Sequence, residues 1–171
     1  MQIKAKSLLI TVIKPVCHHL SRAFEDSKKR DLMDSASIHD LLLGTAAKES
    51  HLGKYLIQVN GIALGPWQIE PATHDDCCRY LKNKSNLKDI TYNLLFGISS
   101  KDQLIWNVFY SCAIARIKYW MIPAPLPQEN AYLTKEQYIH ALGEYWDKWY
   151  NCNPKHGNAR EFVECWEKYV E

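Results

Sequence analysis

Residues 44–76 read GTAAKESHLGKYLIQVNGIALGPWQIEPATHDD, an alanine-rich helical end that passes through Glu49 into a stretch rich in glycine and proline. Upstream, Ile38, Leu42, Ala46 and Glu49 recur at helical spacing, so the glutamate continues an apolar stripe at a helix's last turn. That helix is predicted to begin near Ser35 or Ser37, because Ser37 followed by Asp40 has the pattern of an N-terminal cap with an acidic first turn. A carboxylate set against apolar neighbours and beside the partly negative helix C-terminus is destabilised in its ionised form. Its pKa is expected to rise, which suits a proton donor near neutral pH.

Downstream, YLIQVNGIALGPWQIE places β-branched and aromatic residues around Asn60-Gly61, and a small hairpin or ordered loop is expected there, its second arm interrupted by Gly65-Pro66. Pro71 then opens a helix over PATHDDCCRYLKN. A first helix is predicted over about Ile3 to Phe24, bent or restarted at Pro15, with EDSKKRDLMD as a polar connector. Further helices are predicted over about Ser100 to Tyr119, Thr134 to Tyr150 and Asn158 to Val170, separated by IPAPLPQEN and NCNPKHG. The expectation is a mainly α chain forming a single domain over residues 1–171, with no internal repeat and no Gly/Ser linker.

Composition fits an ordered globular chain, with 47% hydrophobic and 23% charged residues among 171. The net charge of +2 comes from basic residues scattered among acidic ones, so no nucleic-acid partner is expected; a helical nucleic-acid-binding module would need a basic stripe. The apolar run Ser7 to Ile13 ends at Lys14-Pro15 without a small-residue cleavage site and is too short to span a bilayer, so a soluble protein made in the cytoplasm is expected. The six cysteines, Cys17, Cys77, Cys78, Cys112, Cys152 and Cys165, form no CxxC pair and are expected to be reduced. Cys152, His156 and Cys165 lack a fourth partner and the close ligand pairs of a zinc site, so no metal is expected.

The two blocks AAKES and ALGPWQIEPATH resemble the soluble lytic transglycosylase and goose-type lysozyme superfamily, in which a glutamate-serine pair is followed by Gly-Leu-Met-Gln and then a proline and a threonine. The corresponding residues are Glu49-Ser50, Gly65-Pro66-Trp67-Gln68, Pro71 and Thr73. The flanking IKPV, LLLGTAAKES and WDKWYN look like a group of bacteriophage proteins assigned to that superfamily, a likeness that runs along most of the chain. The resemblance implies a lysozyme-like fold and a muramidase that cleaves between N-acetylmuramic acid and N-acetylglucosamine in bacterial peptidoglycan. It implies Glu49 as the catalytic acid, with Ser50, Gln68 and Thr73 at the sugar cleft. Tyr150-Asn151 look like the tyrosine-asparagine of the family's later AAYNAG block, although the alanines and the immediate glycine are missing here.

Trp67 replaces the family's methionine and is the tryptophan expected to meet substrate; Trp106, Trp120, Trp146, Trp149 and Trp166 fall at core spacing. His51 and His74 flank the site and are expected to be exposed or hydrogen-bonded histidines. Glycan cleavage by proton donation needs no cofactor. Hydrolysis needs a second carboxylate, for which Glu70, Asp75 and Asp76 are available, whereas a lytic transglycosylase needs only one acid, because the muramic acid's own C6 hydroxyl is the nucleophile. The single-acid chemistry is favoured, with a hydrolysing lysozyme as the alternative. A non-catalytic virion or tail module on the same scaffold is the reading from a different class. A phage enzyme made in the host cytoplasm would reach the periplasm through a holin-formed lesion or as part of a virion, and the residues choose neither; nor do they indicate an oligomeric state.

Overall fold

The computed structural model describes residues 3–97, 100–151 and 157–171. It is mainly helical with almost no strand, as the periodicity predicts. The first helical run is continuous: α1 (Ala5–Leu8) leads through a π turn, Leu9–Ile13, into α2 (Lys14–Ser21). Pro15 lacks an N–H and its ring would crowd the carbonyl four residues back, and the wide turn just before it lets the helix continue. The segment expected to be a connector is instead α3 (Ser27–Met33). Asp26 caps it by accepting from the Lys29 N–H at 2.8 Å, Met33 is fully buried, and the buried Arg116 donates to the Met33 and Leu32 carbonyls at 3.0 and 2.8 Å. A distant guanidinium thus closes a helix whose own sequence is too polar to reveal it.

The central element is α4 (Ala36–Ser50), capped by Ser35 rather than Ser37, through a 3.4 Å acceptance from the Ile38 N–H. Ser37 lies inside the helix, and Asp40 accepts from the Tyr138 hydroxyl at 3.1 Å. Burial extends beyond the predicted stripe of Ile38, Leu42 and Ala46 to Leu41, Leu43, Thr45 and Ala47. Such a helix must be enclosed on several sides. It packs against α8 (Val108–Trp120), α9 (Lys135–Trp146) and α10 (Ala159–Tyr169). Gly44 permits the closest approach, since a Cβ there would run into the ring of Phe162 on α10.

Three further helices complete the described chain. α5 (Pro71–Lys82) begins at the expected proline, while α6 (Ser85–Tyr92), with its buried Leu87 and Thr91, is additional to the sequence reading. The helix expected over about Ser100 to Tyr119 is broken into α7 (Gln103–Trp106) and α8 at Asn107, whose side chain accepts from the Tyr110 N–H at 3.1 Å. A capping box of Thr134 and Gln137 starts α9, which runs into a second π turn, Asp147–Asn151. Most of the NCNPKHG stretch, including Cys152 and His156, lies outside the described residues; the other cysteines are free thiols. Among the tryptophans, Trp67 and Trp146 are completely buried and Trp166 nearly so, Trp120 and Trp149 are half-buried, and Trp106, expected in the core, is 58% exposed beside the break at Asn107. Among the described residues, no helix is long and apolar enough to cross a membrane.

Between α4 and α5 the expected hairpin reduces to two isolated antiparallel bridges, Ile57 with Leu64 and Leu64 with Ile69. The turn is Gln58–Gly61, with Asn60 left-handed at φ 57° in its third position. Gly65 and Pro66 stop the ladder, because Pro66 has no donor and Gly65 turns to φ 77°. A Cβ on Gly65 would run into the Leu104 carbonyl oxygen and the Ser111 hydroxyl. Gly65→Ala is therefore expected to destabilise the fold by about 3 kcal/mol, from left-handed strain together with the clash. Chemical denaturation against the parent chain checks this, and a change under 1 kcal/mol would contradict it.

Candidate active site

The last turn of α4 carries Lys48, Glu49 and Ser50, and the chain then reverses through three left-handed residues, His51, Leu52 and Gly53, with φ of 51°, 57° and 78°. The His51 and Leu52 N–H groups return to the Ala47 and Ala46 carbonyls at 3.1 and 3.0 Å, closing the helix. Ser50 fastens this end to the following loop: its hydroxyl donates to the Pro66 carbonyl at 2.7 Å and accepts from the Gly53 N–H at 2.8 Å. The Trp67 indole N–H reaches back to the Leu42 carbonyl at 2.9 Å, and the Tyr150 hydroxyl donates to the Trp67 carbonyl at 2.7 Å. Three segments distant in sequence are thereby locked at one place.

A cavity of about 490 Å³ opens there. Of the residues expected as the catalytic acid and its substrate contacts, Glu49, Gln68, Thr73, Tyr150 and Asn151 line it. Two others do not. Trp67, expected to stack on sugar, is fully buried with its indole directed into the core under α4; Ser50, grouped with the substrate contacts, is fully buried too and serves as the staple behind the cavity. Gln68 has a double role, since it faces the cavity while its side-chain amide donates to the Gly65 and Tyr55 carbonyls at 2.8 and 3.2 Å, holding the turn that leaves its backbone at φ 44°. Asn151 donates to Asp147 at 3.1 Å and to the Gly157 carbonyl at 3.0 Å.

The expected elevation of Glu49 is present: its carboxyl is raised from 4.5 to about 7. Burial is the largest cause and the neighbouring Glu70 adds to it, while Lys48, Lys118 and a 3.2 Å hydrogen bond from the Trp146 indole N–H to Oε1 oppose it. Lys118 lies 3.5 Å from the centre of the Tyr150 ring and donates to the Tyr150 carbonyl at 2.9 Å. Lys48 is placed by Glu161 at 3.2 Å. Burial also pushes the Tyr150 hydroxyl well above its ordinary value, with the Glu49 charge as a further cause, so it stays protonated as the donor to Trp67.

Of the three possible second carboxylates, only Glu70 lines the cavity. Asp75 is held by Lys101 at 2.8 Å, which lowers its pKa, and Asp76 pairs with Arg79. Neither flanking histidine lines the cavity. His51 stacks on Tyr169 at 4.8 Å between ring centres, and His74 is buried with Nε2 2.9 Å from the Tyr110 hydroxyl. Burial lowers the pKa of both.

Ala63, Gln58, Lys48 and Lys118 complete the lining and were not among the expected site residues, nor was Trp146 as a donor to the acid. One signal was available: Lys118 stands between Ile117 and Tyr119 near the end of a mostly apolar helix, where a charge needs a cavity, an ion pair or carbonyls to meet it. No group of three or more His, Cys, Asp or Glu among the described residues is arranged to hold a metal ion. No family model matches the chain, and no curated protein or solved structure matches it significantly.

An acid whose folded-state pKa lies above its unfolded value stabilises the fold most at low pH. Here that contribution is complete below about 4.5 and is lost as pH rises through about 7. Glu49→Gln removes the titration, so at pH 8 the variant is expected to be the more stable chain by on the order of 2–3 kcal/mol, with the difference shrinking toward pH 4.5. Paired denaturation curves across this range test the sign, which an advantage of wild type at pH 8 would reverse.

Proposed function

We propose that the chain is a peptidoglycan-cleaving muramidase on a lysozyme-like scaffold, with Glu49 as general acid and base. The observation that carries this reading is a carboxyl raised to about 7 on the wall of a cavity that also holds Gln68, Thr73, Tyr150 and Asn151. Two sequence blocks resembling the lytic transglycosylase and goose-type lysozyme superfamily converge on that cavity, and this agreement is the further support. The enzyme is of phage or prophage origin in this reading and acts on the host wall, reached through a holin lesion or from a virion.

In the favoured single-acid route, the protonated Glu49 gives its proton to the glycosidic oxygen as the bond from that oxygen to C1 of the muramic acid breaks. The carboxylate then takes the proton from the C6 hydroxyl of the same sugar as its oxygen bonds to C1. A 1,6-anhydro ring forms, Glu49 recovers its proton and no water is consumed. A tethered nucleophile makes a positioned water unnecessary. One group must act first as acid and then as base, and a pKa near neutrality serves both steps.

Hydrolysis is the second reading, favoured by one observation: Glu70 shares the cavity wall and its charge raises Glu49, so a carboxylate is at hand to activate water. Mass spectrometry of released muropeptides separates the two. Anhydro ends, lighter by one water and resistant to borohydride, are expected, together with survival of most activity in Glu70→Gln; reducible ends would establish hydrolysis instead.

Turbidity loss of chloroform-treated Gram-negative cells tests the shared premise. Glu49→Gln is expected to lose at least about a hundredfold in rate. Wild-type activity is expected to fall above about pH 7 as the acid loses its proton. A wild-type rate in the variant would remove Glu49 from the chemistry, and an inactive parent chain would favour a non-catalytic virion module.

A further inference from the structure

A second cavity, of about 410 Å³, shares no lining residue with the one at Glu49. It lies where the chain leaving α2, the start of α3, the α5–α6 junction and the end of α8 meet. Phe24, Tyr80 and Trp120 bring aromatic rings to its wall, each half-buried and so still accessible. Phe24 and Trp120 are fixed against each other at 5.1 Å between ring centres, and the Arg116 guanidinium lies 5.2 Å from the Trp120 ring centre. The polar side of the wall holds the exposed Lys29, Lys84 and Asn83, with the Lys84 ammonium 5.7 Å from the centre of the Tyr80 ring. No carboxylate is among the lining residues.

Aromatic walls offer an apolar surface to the C–H faces of pyranose rings, amides pair with hydroxyl and acetamido groups, and lysines without a competing acid attract carboxylates. We propose that this cavity is a second glycan-binding site, which holds an N-acetylated, carboxylate-bearing stretch of the same polymer that is cut at Glu49. The ligand class rests on the proposed muramidase reading, while the site itself rests on its own cavity. A nucleic acid would also offer rings and negative charge, but the chain's net charge of only +2, dispersed over the surface, favours the glycan. On an insoluble polymer, a second weak contact raises the effective concentration of substrate at the first.

The test uses the full chain with Glu49→Gln, so that bound wall material is not cut, and measures its binding to purified Gram-negative sacculi. Lys29→Glu with Lys84→Glu, and separately the charge-conserving Tyr80→Ala, are each expected to weaken binding about tenfold or more. The same charge change placed at the exposed Lys6 and Lys168 is expected to leave binding nearly intact. In the chain that retains Glu49, the Lys29/Lys84 double variant is expected to cleave a short soluble glycan at close to the parental rate. Undiminished sacculus binding by both site variants overturns the proposal. An equal loss from the Lys6/Lys168 control does so too, as does displacement of sacculi by a single-stranded oligonucleotide through the same lysines. Failure of the parent to cleave the short glycan counts against the muramidase reading alone, since sacculus binding is measured independently of cleavage.

Discussion

The burial of Trp67 beneath α4 is the constraint on which the cavity depends. Enclosing an indole removes roughly 200 Å² from water, worth on the order of 5 kcal/mol. Its N–H is not sacrificed, because the Leu42 carbonyl accepts it. With the ring fixed, the Trp67 carbonyl receives the Tyr150 hydroxyl and the preceding Pro66 carbonyl receives Ser50, so the ends of α4 and α9's π turn are referred to one short loop. Gly65 makes the loop's approach to Leu104 sterically feasible. Trp67 therefore acts from inside the core, setting where Glu49, Gln68 and Tyr150 stand.

Arg116 and Glu49 are both drawn away from water, with opposite consequences. Arg116 is lowered by burial only to about 10 and stays a cation, because two carbonyls at the end of α3 accept its N–H groups. Glu49 accepts from the Trp146 indole on one oxygen, and its neighbouring lysines offset burial incompletely, so its carboxyl is poised near 7. A buried ion held by two carbonyls and always charged serves as structure, while a buried carboxyl whose charged form is only partly compensated gains and loses a proton within the pH range of a cell.

Much of the fold was legible because local signals agreed with it. Pro71 at a first turn removes an N–H that would lack a partner there, and the Thr134/Gln137 capping box and Asn158 before α10 satisfy backbone groups of their own helix, so their meaning needs no distant partner. The departures share the opposite property. α3 is closed by Arg116, more than eighty residues away, and the break at Asn107 is reinforced by Asn107 donating to the Leu94 carbonyl at 2.7 Å. The hairpin signal at Asn60-Gly61 yields a turn displaced by one residue, because Gln58 satisfies the loop itself: its N–H donates to the Ala63 carbonyl at 2.9 Å and its Oε1 accepts from the Ala63 N–H at 3.2 Å.

By itself the sequence determined that Glu49 stands in the last turn of an apolar helix, since that follows from spacing along one helix, whereas the burial that raises its carboxyl comes from the segments packed around it. Which residues surround it was decided only by tertiary structure. Tyr150 and Asn151 come from a π turn about a hundred positions away, Lys118 from the last turn of the buried α8, and the Trp146 donor from a ring that by spacing belongs to the core. Tertiary packing likewise moved Ser50 and Trp67 from the expected cleft to the scaffold behind it. The physical reason is that spacing along a helix or strand fixes only which face a side chain leaves by. What that face meets, water or another segment, is set by how the helices close around the core.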